Sequence, residues 1–531
     1  MAVDCNCLHG SAPATVLLAA GRWLLPLVVP ASCLVWMLLF FPSPPPEVVV
    51  GRERFQPSIT LPGQRVSVDD TPPPPARGEM IGSSPPPPSR SPPPPPPPPP
   101  ERKERPATVT DRCAGRYIYI HELPSRFNSD LLRDCRSLSE WTDMCRHIAN
   151  AGMGPRLTTR TGGVFPATGW FDTNQFTLEV IFHGRMRQYG CLTADASHAA
   201  AVYVPYYAGL DVGRYLWGFS NGVRDGLSED LVEWLRSSPA WAAHGGRDHF
   251  LVGGRIAWDF RREDGKGSQW GSRLLLLPEA MNMTALVIEA SPWHGNDVGV
   301  PYPTYFHPWR AGDVAAWQRT VRRAQRPWLF AFAGGGRGKD DGGIRDRIIG
   351  QCARSRRCGL LRCGARGRRS NCYDPANVMG LLKSAAFCLQ PRGDSYTRRS
   401  VFDAILAGCV PVFFHPGTAY AQYRWHLPAD HSRYSVFIPE DGVRNGTARV
   451  EHVLRRFGAA DVAAMREEVI RMIPSVVYRD PRAPAAAGRF RDAVDVAVDG
   501  VIERVRRIRQ RLPPRDEDDG EHQWDAYFDK Q

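Results

Sequence analysis

Residues 387–416 read FCLQPRGDSYTRRSVFDAILAGCVPVFFHP. A short apolar strand is expected over 387–389, then a polar loop rich in Pro, Gly and Arg. A helix with Asp403 in its first turns follows, then Gly408, then a second apolar strand over 410–414. That succession is one strand–loop–helix–strand unit of an α/β sheet, in which ligands bind beyond the carboxyl ends of the strands. Helix N-terminal amides and nearby guanidinium groups favour a phosphate at such a place. A carboxylate slightly further along can take ribose hydroxyls.

Working outward, apolar strands alternate with helical segments on both sides of this unit. Segment 116–121 (RYIYIH) alternates like a first strand, and 135–150 has helical spacing. Segment 200–206 (AVYVPYY) reads as a buried strand ending near Asp211, and 229–235 as an amphipathic helix. Segments 249–252 and 255–260 are further short apolar runs. A second set begins with 328–333 (WLFAFA), breaks at Gly334, Gly335 and Gly336, and continues into a helix over 344–351. Phe490, Val494, Val498, Val501, Val505 and Ile508 mark one face of a long C-terminal helix. Alternating strands and helices imply parallel sheets. A body of about 400 residues exceeds one core, so two lobes are expected. The fold class is therefore α/β of GT-B type, two Rossmann-like lobes with a cleft between them. The N-terminal, acceptor-side lobe is placed at 111–325, the nucleotide-sugar lobe at 326–485 and the terminal helix at 486–512, with an acidic disordered tail over 513–531.

The beginning of the chain differs in kind. Residues 23–41 are free of charge and about long enough to cross a bilayer once, although Pro26 and Pro30 interrupt them. A cleaved signal peptide is the alternative; the length of the run and the prolines at 42 and 44–46 favour an uncleaved signal anchor after a short cytosolic stretch, 1–22. Residues 42–110 form a proline-rich stem that includes an unbroken tract over 92–100. Such a segment favours extended polyproline II and cannot build a core. Anchor, stalk and body in that order are the plan of a type II membrane protein.

Ten of the 13 cysteines lie in the body: Cys113, Cys135, Cys145, Cys191, Cys352, Cys358, Cys363, Cys372, Cys388 and Cys409. An even number in a translocated chain points to disulfides. The group from Cys352 to Cys372 lacks a CxxC pair and interleaved histidine, so bridged loops are expected there rather than zinc. Cys388 and Cys409, in apolar strand contexts, read as buried thiols. Asn282-Met-Thr284 and Asn445-Gly-Thr447 fit the N-glycosylation pattern. Sixty-seven Lys and Arg against 55 Asp and Glu give a formal charge of +12. The basic residues concentrate over 337–369 without interleaved aromatics or a nucleic-acid-binding motif, which argues against that class and leaves solvated arginines, an anionic sugar donor or an acidic polysaccharide.

The segments CAGRYIYIHELPSRFN (113–128), TGWFDTNQF (168–176), VYVPYYAGLDVGRYLWG (202–218), GGRDHFLVGGRIAWDF (245–260), SPWHGNDVGVPYPTYFHP (291–308) and GDSYTRRSVFDAILAGCVPVFFHPGTAYAQYRWHLP (393–428) resemble the plant exostosin-like glycosyltransferases, and among them the xyloglucan galactosyltransferase subgroup. The resemblance runs from Cys113 to about Arg511. It implies a Golgi type II membrane enzyme with a lumenal GT-B body, using a UDP-sugar and inverting its anomeric configuration. The product implied is a β-1,2-linked galactose on the xylose side chains of xyloglucan. Related members transfer galacturonic acid or arabinose. Other wall-polysaccharide synthases are possible partners.

Inverting transfer needs a base near the acceptor hydroxyl and stabilisation of the departing diphosphate. For the diphosphate the candidates are Gly334, Gly335 and Gly336 with Arg337, and Ser395 and Thr397 with Arg398 and Arg399. Many wider-family members carry Arg where this chain has Ser400, so the arginine contact falls to Arg398 or Arg399. Asp403 stands at the family's acidic helix position and is assigned to ribose, with helix capping as the alternative. Asp259 is the expected base, since wider-family members place a His-Asp pair similarly; Asp211, Asp248 and His249 compete. His121 and His307 could line the same cleft or serve only structure. No cofactor is expected beyond the UDP-sugar co-substrate. The one Asp-x-Asp, Asp516-Glu-Asp518, lies in the tail, so metal is not expected to be required. Trp170, Tyr207, Trp217, Trp258, Trp293 and Tyr305 form a pool from which an acceptor groove, or ordinary core, is built. Two other classes are weighed: a tethered carbohydrate-binding protein without catalysis, and a wall-anchored structural protein, which leaves the non-repetitive body unexplained.

Overall fold

A computed structural model describes residues 111–157, 164–166, 168–265, 269–336, 343–364, 372, 374–484, 488–512 and 524–528. The expected anchor and stem lie outside these residues. Among the described residues, no helix is long and apolar enough to cross a membrane.

The first half of the body contributes β1 (Ile118–Ile120), helix α1 (Leu178–Met186), β2 (Leu192–Thr193), β3 (Ala201–Val204), helix α2 (Asn221–Arg236), β4 (His249–Ile256), β5 (Thr284–Glu289) and β6 (Asp297–Gly299). These strands form one sheet in the order β2-β1-β3-β4-β5-β6, with every pairing parallel. Strands β3 and β5 are buried along their whole length. This is why they read as continuous apolar runs, AVYV and TALVI, rather than alternating ones. Helix α3 (Ala311–Arg323) leads into the second half, where β7 (Trp328–Gly334), α4 (Ile344–Arg354), β8 (Cys358–Arg362), α5 (Pro375–Lys383), β9 (Ala385–Gln390), α6 (Arg399–Leu406), β10 (Val410–Phe413) and β11 (Val436–Phe437) follow. Their sheet runs β11-β10-β9-β7-β8, again all parallel. Two parallel sheets flanked by helices are the α/β arrangement the strand–helix alternation predicts.

Helix α6 ends at Gly408, whose φ of +63° is the left-handed conformation that stops a helix with little strain only in glycine. A Cβ there would also lie 3.1–3.3 Å from Ile470, Arg326 and Val321. Helices α7 (Ala459–Val476) and α8 (Ala493–Arg509) complete the body. Helix α8 crosses back onto the first half. Asp492 at its N-cap accepts from Arg185 of α1 at 2.8 Å, and Arg504 donates to Thr284 at 3.1 Å. Each sheet has a local apolar cluster on one face. A third and larger cluster runs from Ile118 and Tyr203 through Trp317, Phe402 and Ile473 to Val501, so the two lobes also share a continuous core.

Several expectations are corrected. Segments 249–252 and 255–260 are one strand, β4, followed by a 3-10 turn, Ala257–Phe260. The helical spacing over 135–150 resolves into a 3-10 turn, Cys135–Leu138, and a short helix, Met144–Ile148, joined by the Cys135–Cys145 disulfide. Cys388 and Cys409 are not thiols but a disulfide. Residue 388 pairs with residue 411 across adjacent parallel strands, which brings the two Cα atoms to 5.8 Å. The remaining bridges are Cys113–Cys191, Cys352–Cys358 and Cys363–Cys372. Within the tail, Asp525–Phe528 form a turn of helix, and the rings of Trp524 and Phe528 meet Tyr420 and Tyr396.

Candidate active site

The carboxyl ends of the two sheets meet. Glu289 ends β5, and its carboxylate accepts from the Thr397 backbone N–H at 2.8 Å, the Thr397 hydroxyl at 2.6 Å and the Tyr396 N–H at 3.3 Å. The Tyr302 hydroxyl lies 3.1 Å from the same threonine hydroxyl. Ala290 exchanges two hydrogen bonds with the Gln422 amide, at 2.7 and 2.9 Å, and the Tyr423 hydroxyl donates to the Ile288 carbonyl at 2.8 Å. The loop between β9 and α6 is thereby fastened to the end of β5.

Arg398 and Arg399 stand at the entry of α6. The Arg398 guanidinium occupies the space where a Gly393 side chain would begin, so a larger residue at 393 would displace it. Arg399 donates to the Thr173 carbonyl at 2.5 Å and lies over the Tyr305 ring at 3.7 Å. Its guanidinium is 3.5 Å from Asp403. Polar atoms of all three residues (Arg398 Nη2, Arg399 Nε and Nη2, Asp403 Oδ1) are buried without a hydrogen-bond partner among the described residues. Burial pushes the Asp403 carboxyl up to about 6, with Arg399 opposing. Ser400 donates to Gln390 at 2.6 Å, holding the helix entry to the end of β9.

Gly334 closes β7, and the next two glycines follow it. A side chain at Gly335 would overlap the Cys363 carbonyl, and one at Gly336 the Asp346 carboxylate. Close approach of the main chain therefore fixes Gly335, while Gly336 meets only a side chain. Arg337 lies outside the described residues.

Asp259 follows the carboxyl end of β4, three residues beyond Ile256, which pairs with Glu289. Trp270 Nε1 donates to its Oδ1 at 2.8 Å, and Arg255 lies 3.4 Å from its Oδ2. Burial raises its pKa above the ordinary range; Arg255 and the Trp270 hydrogen bond pull the other way. Asp211, beyond β3, accepts from the Tyr206 hydroxyl at 2.8 Å and pairs with Arg214. Burial raises its pKa too. Asp211 and Asp259 thus share the carboxyl-end face of the first sheet.

Asp248 and His249 are elsewhere. They stand at the amino end of β4, seven residues before Ile256, a span of about 23 Å at 3.3 Å per residue. His249 is fully buried, with Nδ1 2.8 Å from Asp248 and Nε2 3.1 Å from His121 Nε2. Burial, with the neighbouring His249, pushes His121 down to about 3, a neutral core imidazole. His307 bridges Thr173 at 2.9 Å and the Tyr478 carbonyl at 2.9 Å. Burial holds it at about 4.

The aromatic pool divides. Trp170 packs between Phe165 and Phe306, and Tyr207 meets His183, so both are core. Tyr305 lies beneath Arg399. Trp258 and Trp293 are exposed, and Trp217 is half-buried. Sequence reasoning missed Glu289, Trp270 and the buried Glu179, which accepts from the Leu210 and Gly254 amides and positions the turn after β3. The apolar run TALVIE, which becomes β5, is the signal that could have marked Glu289 as a strand end. Asn282 and Asn445 are both exposed; Thr284 of the first sequon is buried in β5, whereas Thr447 is exposed and donates to Asn445.

Parallel strands that meet end to end, with an arginine-bearing helix entry on one side and buried carboxylates on the other, define a two-lobed α/β protein with a site between its sheets. The chain belongs to the exostosin GT47 family, whose domain matches residues 112–454. It is 52% identical over 403 residues to the xyloglucan galactosyltransferase MUR3 of Arabidopsis thaliana, covering 76% of this chain and 64% of that protein. The probable xyloglucan galactosyltransferase GT12 of the same plant is 47% identical over 422 residues, 77% of this chain and 80% of the relative. The xyloglucan galactosyltransferase XLT2 of that plant is 41% identical over 401 residues, 75% and 76% of the two chains. Among solved structures, the GtfA/B complex aligns with a TM-score of 0.26 and 12% identity over 52% of this chain and 60% of that one. The two-sheet architecture rests on its own strand pairing.

Proposed function

We propose that this protein is an inverting glycosyltransferase that moves galactose from UDP-galactose to xylose side chains of xyloglucan, in a Golgi membrane with its body lumenal. Support for the substrates comes from the relatives named above, which align over three quarters of this chain. One structural observation carries the reading of the site. The loop before α6 is bonded to the end of β5 through Glu289 and Thr397, so donor-side arginines and acceptor-side carboxylates border one region.

In this reading Asp259 is the base. Its raised proton affinity suits it to remove the proton from the acceptor hydroxyl as that oxygen attacks the anomeric carbon. The bond to the UDP oxygen breaks on the opposite side, and inversion follows. Arg398 and Arg399, with Ser395, offset the charge on the departing diphosphate, the α6 amides add to them, and Thr397 holds their loop in place through Glu289. Gly334 to Gly336 border the phosphates, and Asp403 takes the ribose hydroxyls. The proposal assigns no step to a metal.

Full-length protein purified in detergent should transfer labelled galactose from UDP-galactose to xyloglucan oligosaccharides bearing unsubstituted xylose. Transfer from UDP-galacturonic acid or UDP-arabinose instead would change the donor. No transfer from any UDP-sugar, with glycan binding retained, would leave a carbohydrate-binding protein.

A further inference from the structure

Asp259 is the inner end of a ladder of indoles that reaches the surface. Trp270, which donates to its carboxylate, stacks on Trp217 at 5.0 Å between ring centroids with planes 17° apart. Trp217 stacks in turn on Trp141 at 4.7 Å and 25°. Backbone bonds fasten the inner rungs: Gly271 N–H donates to the Leu216 carbonyl at 2.7 Å, and Ser272 N–H to the Asp259 carbonyl at 2.9 Å. The outer rung, Trp141, is 43% exposed. It sits inside the loop closed by the Cys135–Cys145 bridge, so its position is constrained before any ligand arrives. Glu140, Arg214 and Trp217 pack beside it.

An indole stack serving only the core would bury its last face. Here the last face is open, and the polar groups beside it are of opposite sign. Arg214 is moreover already paired with Asp211. Such a rim offers donors and acceptors to hydroxyl groups but no net charge to a polyanion. We propose that the exposed indole of Trp141, held in place by the stacked Trp217 and Trp270, is a binding platform for a neutral glycan, the acceptor chain. Sugar C–H faces pack on the exposed indole, and ring hydroxyls meet Glu140 and Arg214. This rests on the proposed transfer to a glycan acceptor, and it names Trp141 as an acceptor-binding residue.

The test measures glycan binding and transfer separately on the full-length protein. Calorimetry with a xyloglucan oligosaccharide should show Trp141→Ala weakening affinity about tenfold, with Trp141→Phe recovering most of it. UDP affinity should stay at the wild-type value. In the transfer assay Trp141→Ala should raise the acceptor KM by a similar factor. Should Trp141→Ala fail to fold, Trp141→Phe and Glu140→Gln carry the test through smaller losses in the same direction. Oligosaccharide affinity unchanged in these variants overturns the platform while leaving transfer intact. Tighter binding of polygalacturonate than of the neutral glycan overturns it as well. A wild-type protein that binds the glycan through Trp141 yet transfers no sugar refutes the proposed function and leaves the platform standing.

Discussion

Glu289, at the end of the first sheet, holds Thr397 of the second lobe by two hydrogen bonds, one to its backbone N–H and one to its hydroxyl. Neither residue is near the other in sequence, and both are buried. The carboxylate fixes the loop that carries Arg398 and Arg399. Glu289→Ala leaves a buried amide and hydroxyl without their acceptor, which should cost about 1–3 kcal/mol for each group. Urea denaturation should register the loss, and calorimetry should show weaker UDP binding. UDP affinity equal to wild type would separate the latch from the donor site.

Asp259→Asn keeps the shape of the side chain and one of its two acceptor oxygens, the Trp270 or the Arg255 contact being lost, but cannot accept the acceptor proton. Turnover should fall about 10²–10⁴-fold with UDP affinity near wild type. Asp248→Asn and His249→Gln, at the other end of β4, should cost stability more than turnover. The acid limb of the kcat profile should lie above the ordinary aspartate range, because burial raises the Asp259 pKa. Near-normal turnover in Asp259→Asn, with collapse in Asp211→Asn, would move the base to Asp211.

Asp403 couples stability to pH. Its pKa rises from 3.8 in the unfolded chain to about 6 in the fold. The folded state therefore binds the proton more tightly, so stability is full below about pH 4 and is lost as pH rises through 6. The shift of roughly two units corresponds to about 3 kcal/mol. Wild type should lose that much relative to Asp403→Asn between pH 4 and 7 in parallel urea titrations. Parallel pH profiles would contradict it.

Asp403→Ala addresses the ribose contact. Lost hydrogen bonds should weaken UDP affinity about ten- to a hundredfold, or 1–3 kcal/mol. Calorimetry showing wild-type affinity would leave Asp403 as the partner of Arg399 alone.

The C-terminal turn supplies a further expectation. Trp524 stacks on Tyr420 at 5.4 Å, and Phe528 meets Tyr396 at 5.7 Å and His415 at 5.4 Å. Removing residues 513–531 should lower the melting temperature and speed hydrogen exchange over 415–420, since the deletion uncovers these rings. Unchanged exchange would mean that the rings contribute no protection.

The sequence by itself determined the alternation of strand and helix, the break at the three glycines, the stop at Gly408 and the family. Each of these is local, written in apolar runs or in backbone freedom that only glycine has. It also marked Asp259, Arg398, Arg399 and Asp403, because they fall in motif stretches beside strand ends. It did not separate Asp259 from Asp248: both flank the same apolar run, and only the merging of two short segments into one long strand puts them at opposite ends. Cys388 and Cys409 read as thiols because each lies in an apolar strand, and only parallel strand pairing shows that their Cα atoms stand 5.8 Å apart. Glu289 with Thr397, and Asp259 with Trp270, Trp217 and Trp141, were invisible for the same reason. Their contacts join segments whose approach is set by sheet register and packing of the shared core, and no local pattern records which strand ends will face each other.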